Sequence, residues 1–235
     1  MLTDEALART DEETRDELRR LLASYAARQP VRSVAVVANA PLTEDAARAA
    51  AIDACDLVIR CNSFVLDRGD EAYCGRVTHA VVLNAGTRAT RSVFDGYSRR
   101  LYLRSTPGAV YRRKASVPMP RVDLWPDDLG AVSVPNRAVV AGLRALVAAE
   151  QAADDDEVVV PTTGMVAAWL ARQLFPDARL LLAGFSAIGE GSVTEWRHHG
   201  REDSGPVPVA AAHKVDAEGA LLRRWVADGA AHHLP

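Results

Sequence analysis

The 235-residue sequence has no apolar run near the roughly 20 residues that cross a bilayer. Its first residues, MLTDEALARTDEE, offer no basic stretch followed by an apolar one, so no secretory leader is expected. It has no excess of basic charge. Lys and Arg total 28 against 31 Asp and Glu, giving a net charge of -3 and a pI near 6.1, where a nucleic-acid or anionic-membrane binder needs a basic face. Cysteine is scarce: Cys55, Cys61 and Cys74 are an odd set within one third of the chain, and their spacing matches no zinc pattern. They are expected as buried thiols of a reducing compartment, which places the protein in the cytoplasm. No G-x-x-x-x-G-K-[ST] occurs. The first strand turn, VAVVANAPLTEDA, lacks the glycines that let a backbone approach a dinucleotide pyrophosphate. P-loop and dinucleotide-binding readings are thereby set aside. What is present is 49% hydrophobic and 25% charged, a globular composition in a chain long enough to bury a core without disulfides or metal.

The periodicity describes an α/β chain. Leu18, Leu21, Leu22 and Tyr25 recur at helical spacing in an N-terminal helix over 1–30, with Thr10 and Glu13 as a capping box and Pro30 as its stop. Short apolar runs at Val34–Val37, Leu57–Ile59, Val77–Leu83, Leu101–Leu103 and Arg179–Ala183 read as strands, with Val158–Val160 a further candidate. Helices are expected from Thr43, over 136–151, over Thr162–Phe175 and over Val215–Asp228. Residues 105–134 have no clear period, 186–212 read as a Gly-, Pro- and His-rich loop, and Asp154–Asp156 as a solvated connector. With no internal repeat and no composition break, 31–235 reads as a single doubly wound, Rossmann-like α/β domain with a mostly parallel sheet.

Ligands of such sheets bind beyond the carboxyl ends of the strands. The strands here end in Asn39, in Asn62, in Asn84 and in Gly184-Phe185-Ser186, so amide groups are expected along one rim. Pro161-Thr162-Thr163-Gly164 opens a helix, where Thr hydroxyls and unbonded backbone N–H groups suit an anion; ordinary N-capping by Thr is the plainer alternative. Gly164 inside the first turn costs roughly 1 kcal/mol against Ala, which close approach of a ligand would explain. Five of the six histidines follow residue 197. His198 and His199 sit in a loop. His213 opens the last helix, where the helix dipole favours a neutral imidazole fit for a general base. His232 and His233 are expected to be solvated or disordered, and no metal-ligand spacing accompanies any of these histidines.

Together these segments resemble glycosyltransferase family 29, the sialyltransferases. The family's large motif pairs a strand ending V-V-G-N with I-D-x-x-D-x-V-x-R-x-N. It is matched by VAVVANA at 34–40 and by Ile52, Asp53, Asp56, Val58, Arg60 and Asn62. The small motif, P-S-T-G with a helix and a strand ending in G-F, is matched at 161–185; a histidine pair at His198-His199; and H-x4-E by His213 and Glu218. Ala38 replaces the family glycine, Thr162 its serine, and Gly200 the aromatic after the histidine pair. The cysteines that join the large and small motifs in animal members correspond to Val34 and Pro176. In size the chain is similar to the bacterial sialyltransferases of family 42, so the resemblance is to a compact, cytoplasmic, bacterial-type member.

The resemblance implies a variant GT-A-like glycosyltransferase fold and a CMP-activated donor, most simply CMP-sialic acid, with no cofactor and no metal. Asn39 and Asn62 would hold ribose and phosphate, Thr162, Thr163 and Gly164 the nucleotide, with Asn84 and Gly184 on the same rim. His199 or its neighbour His198 would donate to the departing phosphate. His213 would take the proton of the acceptor hydroxyl, on a small molecule or a glycan, with inversion. Glu218 would orient the last helix or His213. A hydrolase or lyase of a CMP-linked metabolite, a silent CMP-binding protein and an interaction protein built on the N-terminal helix are the competing expectations.

Overall fold

The computed structural model describes residues 4–84, 91–104, 129, 131–134, 139–151, 159–189, 192–199 and 205–235. Seven strands form one sheet, parallel throughout: β1 (Ser33–Val37), β2 (Leu57–Cys61), β3 (Ala80–Leu83), β4 (Leu101–Arg104), β5 (Val132–Ser133), β6 (Arg179–Ala183) and β9 (His232–Leu234). Their spatial order is β5-β4-β3-β2-β1-β6-β9. The chain winds outward from β1 to β5, then returns to the other side of β1 for β6 and β9. That reversal makes the boundary between β1 and β6 the topological switch point.

Alternation along the strands supplies both faces with apolar side chains, as a parallel sheet covered on both sides requires. Val34, Val36, Leu57, Ile59, Ala80, Val82, Leu101, Leu103, Leu180 and Leu182 face one layer. Against them lies helix α5 (Thr163–Leu174), whose Met165, Val166, Ala167, Ala168, Leu170 and Ala171 are buried; its alanines let the helix lie close to the strands. Leu18 and Leu22 of α1 (Asp4–Tyr25) and Leu221, Leu222 and Trp225 of α6 (Val215–Ala227) join this same core, and Trp225 stacks on Trp169 at 6.2 Å. The N-terminal helix is thus part of the domain's packing. The opposite face is covered in two patches. Ile52 of α2 (Ala46–Asp53) meets Ala35, Val37, Val58 and Leu181, and Val93 of α3 (Arg91–Phe94) meets Phe64, Val81, Leu83 and Tyr102. Helix α4 (Ala141–Gln151) packs on α6.

Several expectations shift. Helix α1 is already running at Asp4, so Thr10 and Glu13 are not its start, and it ends at Tyr25, ahead of Pro30. Val77 and Thr78 precede β3 because Arg60 takes the Val77 carbonyl and the Thr78 hydroxyl at 3.1 and 3.0 Å. Asp45 caps α2, which begins later than Thr43. Within 186–212 two short antiparallel strands, β7 (Glu195–Trp196) and β8 (Val207–Pro208), pair with each other. His232 and His233, expected to be solvated or disordered, form the edge strand β9 beside Leu181 and Leu182, with His232 exposed. Val159 and Val160 are not in a strand; Val158, Asp154–Asp156 and most of 105–134 lie outside the described residues. Among the described residues no helix is long and apolar enough to cross a membrane.

Candidate active site

A cavity of about 260 Å³ opens at the carboxyl ends of β1, β2, β3 and β6. Hydrogen bonds draw those strand ends together. The β1–β6 pairing continues past the strands through Ala38 N–H to Ala183 O and Ala40 N–H to Gly184 O, both 2.9 Å. It brings Gly184 so near that a Cβ there would lie 2.6 Å from the Ala38 carbonyl, with φ at +68°, so this backbone requires glycine. The Asn39 amide donates to Cys61 O at 2.9 Å, tying β1 to β2. Asn62 adopts φ +47°, a left-handed conformation that asparagine tolerates, and its Oδ1 accepts the Asn84 N–H at 3.0 Å. Asn84 Nδ2 then donates to Thr163 Oγ1 at 2.7 Å, joining β3 to the start of α5. The three asparagines line the rim and also hold it in register.

Thr162 caps α5 by accepting the Met165 N–H at 3.2 Å. Its own N–H and hydroxyl donate to Glu218 Oε1 and Oε2 at 2.7 and 2.6 Å. Glu218 is 2% exposed, and burial pushes its carboxyl up to about 7 against the opposing effect of the two Thr162 donors. Glu218 therefore pins α6 to the start of α5. The first-turn N–H groups of Thr163 and Gly164 have no carbonyl to bond within their helix, which leaves them for an anion at the positive end of the helix dipole. Gly164 also has a packing reason: a Cβ would meet Ala38 Cβ and Phe185 Cε1 at 3.3 Å.

His213 lies just ahead of α6, its ring edge-on to Trp196 at 6.3 Å. Its Nδ1 stands 2.6 Å from Val160 O. A carbonyl only accepts, so Nδ1 carries the hydrogen and Nε2 is left as the basic nitrogen. The pair β7–β8 brings Trp196, Arg197 and His198 over the cavity, and the His199 N–H bonds Asn39 O at 2.8 Å.

The cavity wall includes Asn39, Asn62, Asn84, Thr162, Thr163, Gly164, Gly184, His198, His213 and Glu218, brought together from across the chain. His199 is not among the lining residues. Its ring packs on Tyr73 at 5.1 Å, and it offers a nitrogen to a group with Asp67 and Cys74 whose ligand atoms lie within 4.8 Å of one another. Trp196, Arg197 and Ser63 also line the cavity and were not singled out from sequence. A tryptophan and an arginine directly before the histidine pair, in an otherwise Gly- and Pro-rich stretch, were the available signal.

The remaining large-motif residues build the scaffold under the rim. Asp53 accepts the Arg76 and Val77 N–H groups, at 2.8 and 2.9 Å to Oδ1. Asp56 accepts both the Arg32 and Ser33 N–H and the Ser33 hydroxyl; burial raises its pKa, but these donors outweigh that and hold it below the usual value. Arg60 is fully buried in β2, its Nη2 bonded to Cys74 O at 2.8 Å and its guanidinium over Phe64.

No protein-family model matches the chain, and no curated relative matches it in sequence. Its fold does have solved counterparts. The chain is similar to the crystal structure of a mammalian sialyltransferase, with a TM-score of 0.57 at 15% identity, over 94% of this chain and 78% of the other. A mammalian sialyltransferase in complex with Gal-beta-1-3GalNAc-ortho-nitrophenol matches with a TM-score of 0.55 at 14% identity, over 97% and 79%. The chain has a Rossmann-like sialyltransferase fold.

Proposed function

We propose that the chain is an inverting glycosyltransferase that moves a sialic-acid-like sugar from a CMP-activated donor to an acceptor hydroxyl. The observation that carries this reading is the convergence on one cavity, at the switch point of the sheet, of the strand-end asparagines, the start of α5, His198 and His213. The shared fold supports it.

Asn39 and Asn62 present polar edges to ribose and phosphate, and the first turn of α5 faces the phosphate with N–H groups of Thr163 and Gly164. The acceptor O–H proton passes to His213 Nε2 as the acceptor oxygen bonds the anomeric carbon. The bond from that carbon to the phosphate oxygen breaks on the opposite face, and CMP leaves with its electron pair. Charge gathers on the phosphate, where His198 and the helix N-terminus meet it; the leaving group needs no metal in this reading. His198 takes this role ahead of His199 because it lines the cavity. The free, buried Cys55, Cys61 and Cys74 suit a reducing compartment, and we place the protein in the cytoplasm with a soluble acceptor.

Calorimetry with CMP, UMP and NAD, in chelator, tests the donor: CMP binds and the other two bind more weakly. Equal or absent binding sinks the reading. Incubation with CMP-sialic acid and an acceptor panel then gives acceptor-dependent CMP release, whereas release indifferent to acceptor marks a hydrolase. His213→Ala keeps CMP affinity and loses about 10²–10⁴-fold in transfer, the range of general-base catalysis. Unchanged turnover removes His213 from the mechanism.

A further inference from the structure

Loop 62–79, which joins β2 to β3, folds around one carboxylate. Asp67 is buried and accepts the backbone N–H groups of Tyr73 at 3.0 Å, Cys74 at 3.1 Å and Gly75 at 2.6 Å. These donors fix the orientation of its oxygens. Cys74 Sγ lies 3.4 Å from Asp67 Oδ1 and 3.2 Å from Val65 O. From the far side of the sequence, His199 brings an imidazole nitrogen to the same point, its ring steadied against Tyr73. A sulfur, an oxygen and a nitrogen thus converge within 4.8 Å, the only such group among the described residues.

We propose that Asp67, Cys74 and His199 form a site for one thiophilic divalent cation of the zinc type, set apart from the reacting atoms. The donor set is chemically apt: thiolate, imidazole and carboxylate are the three ligand types zinc takes. The spacing is apt too. In a tetrahedral site with a sulfur at about 2.3 Å and an oxygen at about 2.0 Å, those two ligands stand about 3.5 Å apart, close to the 3.4 Å found. On binding, Cys74 releases its thiol proton to solvent and the cation takes its place between Sγ and Oδ1. A fourth position is left for solvent.

The site would be a staple. Asp67 and Cys74 belong to the scaffold beneath the sheet end, whereas His199 ends the segment that carries Trp196, Arg197 and His198 along the cavity wall. That segment is also latched by the His199 N–H on Asn39 O. A bound cation adds a second anchor one residue from His198 and fixes this wall without entering the cavity. Sequence spacing could not show the site, because its ligands lie up to 132 positions apart, from 67 to 199.

The test uses the full chain, stripped with chelator, desalted and titrated with Zn²⁺ or Co²⁺ alone. The expected result is one equivalent of bound metal, with a thiolate-to-cobalt charge-transfer band in the Co²⁺ form. Cys74→Ser abolishes the band and His199→Gln loses stoichiometric binding, while Cys55→Ser and a His232→Gln/His233→Gln variant keep both. Absence of the band in the unaltered chain overturns the proposal, whatever the variants do. Its persistence in Cys74→Ser also overturns it. The readout is metal content and spectrum, so it stands or falls independently of CMP binding.

Discussion

Asn62 carries two demands that can be separated by substitution. Its φ of +47° disfavours any residue with an ordinary side chain, by about 1–2 kcal/mol, and its Oδ1 accepts the Asn84 N–H. Aspartate tolerates the same backbone and offers the same acceptor, so Asn62→Asp folds with nearly the original stability. Asn62→Ala loses both features and about 2–3 kcal/mol, read from urea midpoints. In the proposed site the introduced carboxylate would also place a negative charge by the CMP phosphate, so the Asn62→Asp variant keeps its fold and loses CMP affinity. A stable Asn62→Ala chain would refute the backbone argument. At this scale the sequence was partly legible. Asparagine after an apolar run pointed to the rim, and Asn39, Asn62 and Asn84 do line one cavity. Their bonds to Cys61, to one another and to Thr163 could not be read, because each joins positions that only the sheet order brings together.

The starts of helices α5 and α6 are tied by one carboxyl group, that of Glu218, and its titration should register in stability. Burial raises the Glu218 pKa from 4.5 to about 7 in the folded chain. Between those values the folded chain holds a proton that the unfolded chain has released. Stability is therefore greatest below the lower value, falls as pH rises through about 7, and is constant above it. Over that window the loss is about 3 kcal/mol. Glu218→Gln keeps an acceptor for Thr162 and removes the titration, so urea denaturation of the variant should lack this slope; a parallel pH profile in both chains would show that Glu218 does not titrate this way. The helices themselves were readable, since α5 and α6 have long apolar faces and Thr162 is a capping residue by type. That the Thr162 hydroxyl is engaged by Glu218, 56 positions away, was not. Strands β7, β8 and β9, of two or three residues, carry no period to read, and in β9 two of the three residues are histidines.

Across the whole molecule, the α/β class and the parallel sheet followed from alternating apolar runs with helices between them. The order that places β6 beside β1 did not, because strand adjacency depends on crossovers that leave no local mark. That order is what creates the site: the cavity wall runs from Ala38 to Leu222 and exists only when β1, β2, β3, β6 and the starts of α5 and α6 are all in place. A ligand there binds the folded chain and not the unfolded one, and so stabilises the entire cooperative unit. CMP at 100 times its dissociation constant should add about 2.7 kcal/mol. For a chain of this length that is a rise of roughly 5–10 °C in Tm, with UMP giving less at equal concentration. Hydrogen exchange should show added protection at the ends of β1, β2 and β3, at the first turn of α5 and over 196–199, with α1 and β5 outside the directly contacted set. If CMP instead leaves Tm unchanged, or protects only segments remote from the β1–β6 switch point, the cavity is not the nucleotide site, and the chemistry assigned to His198 and His213 loses its substrate.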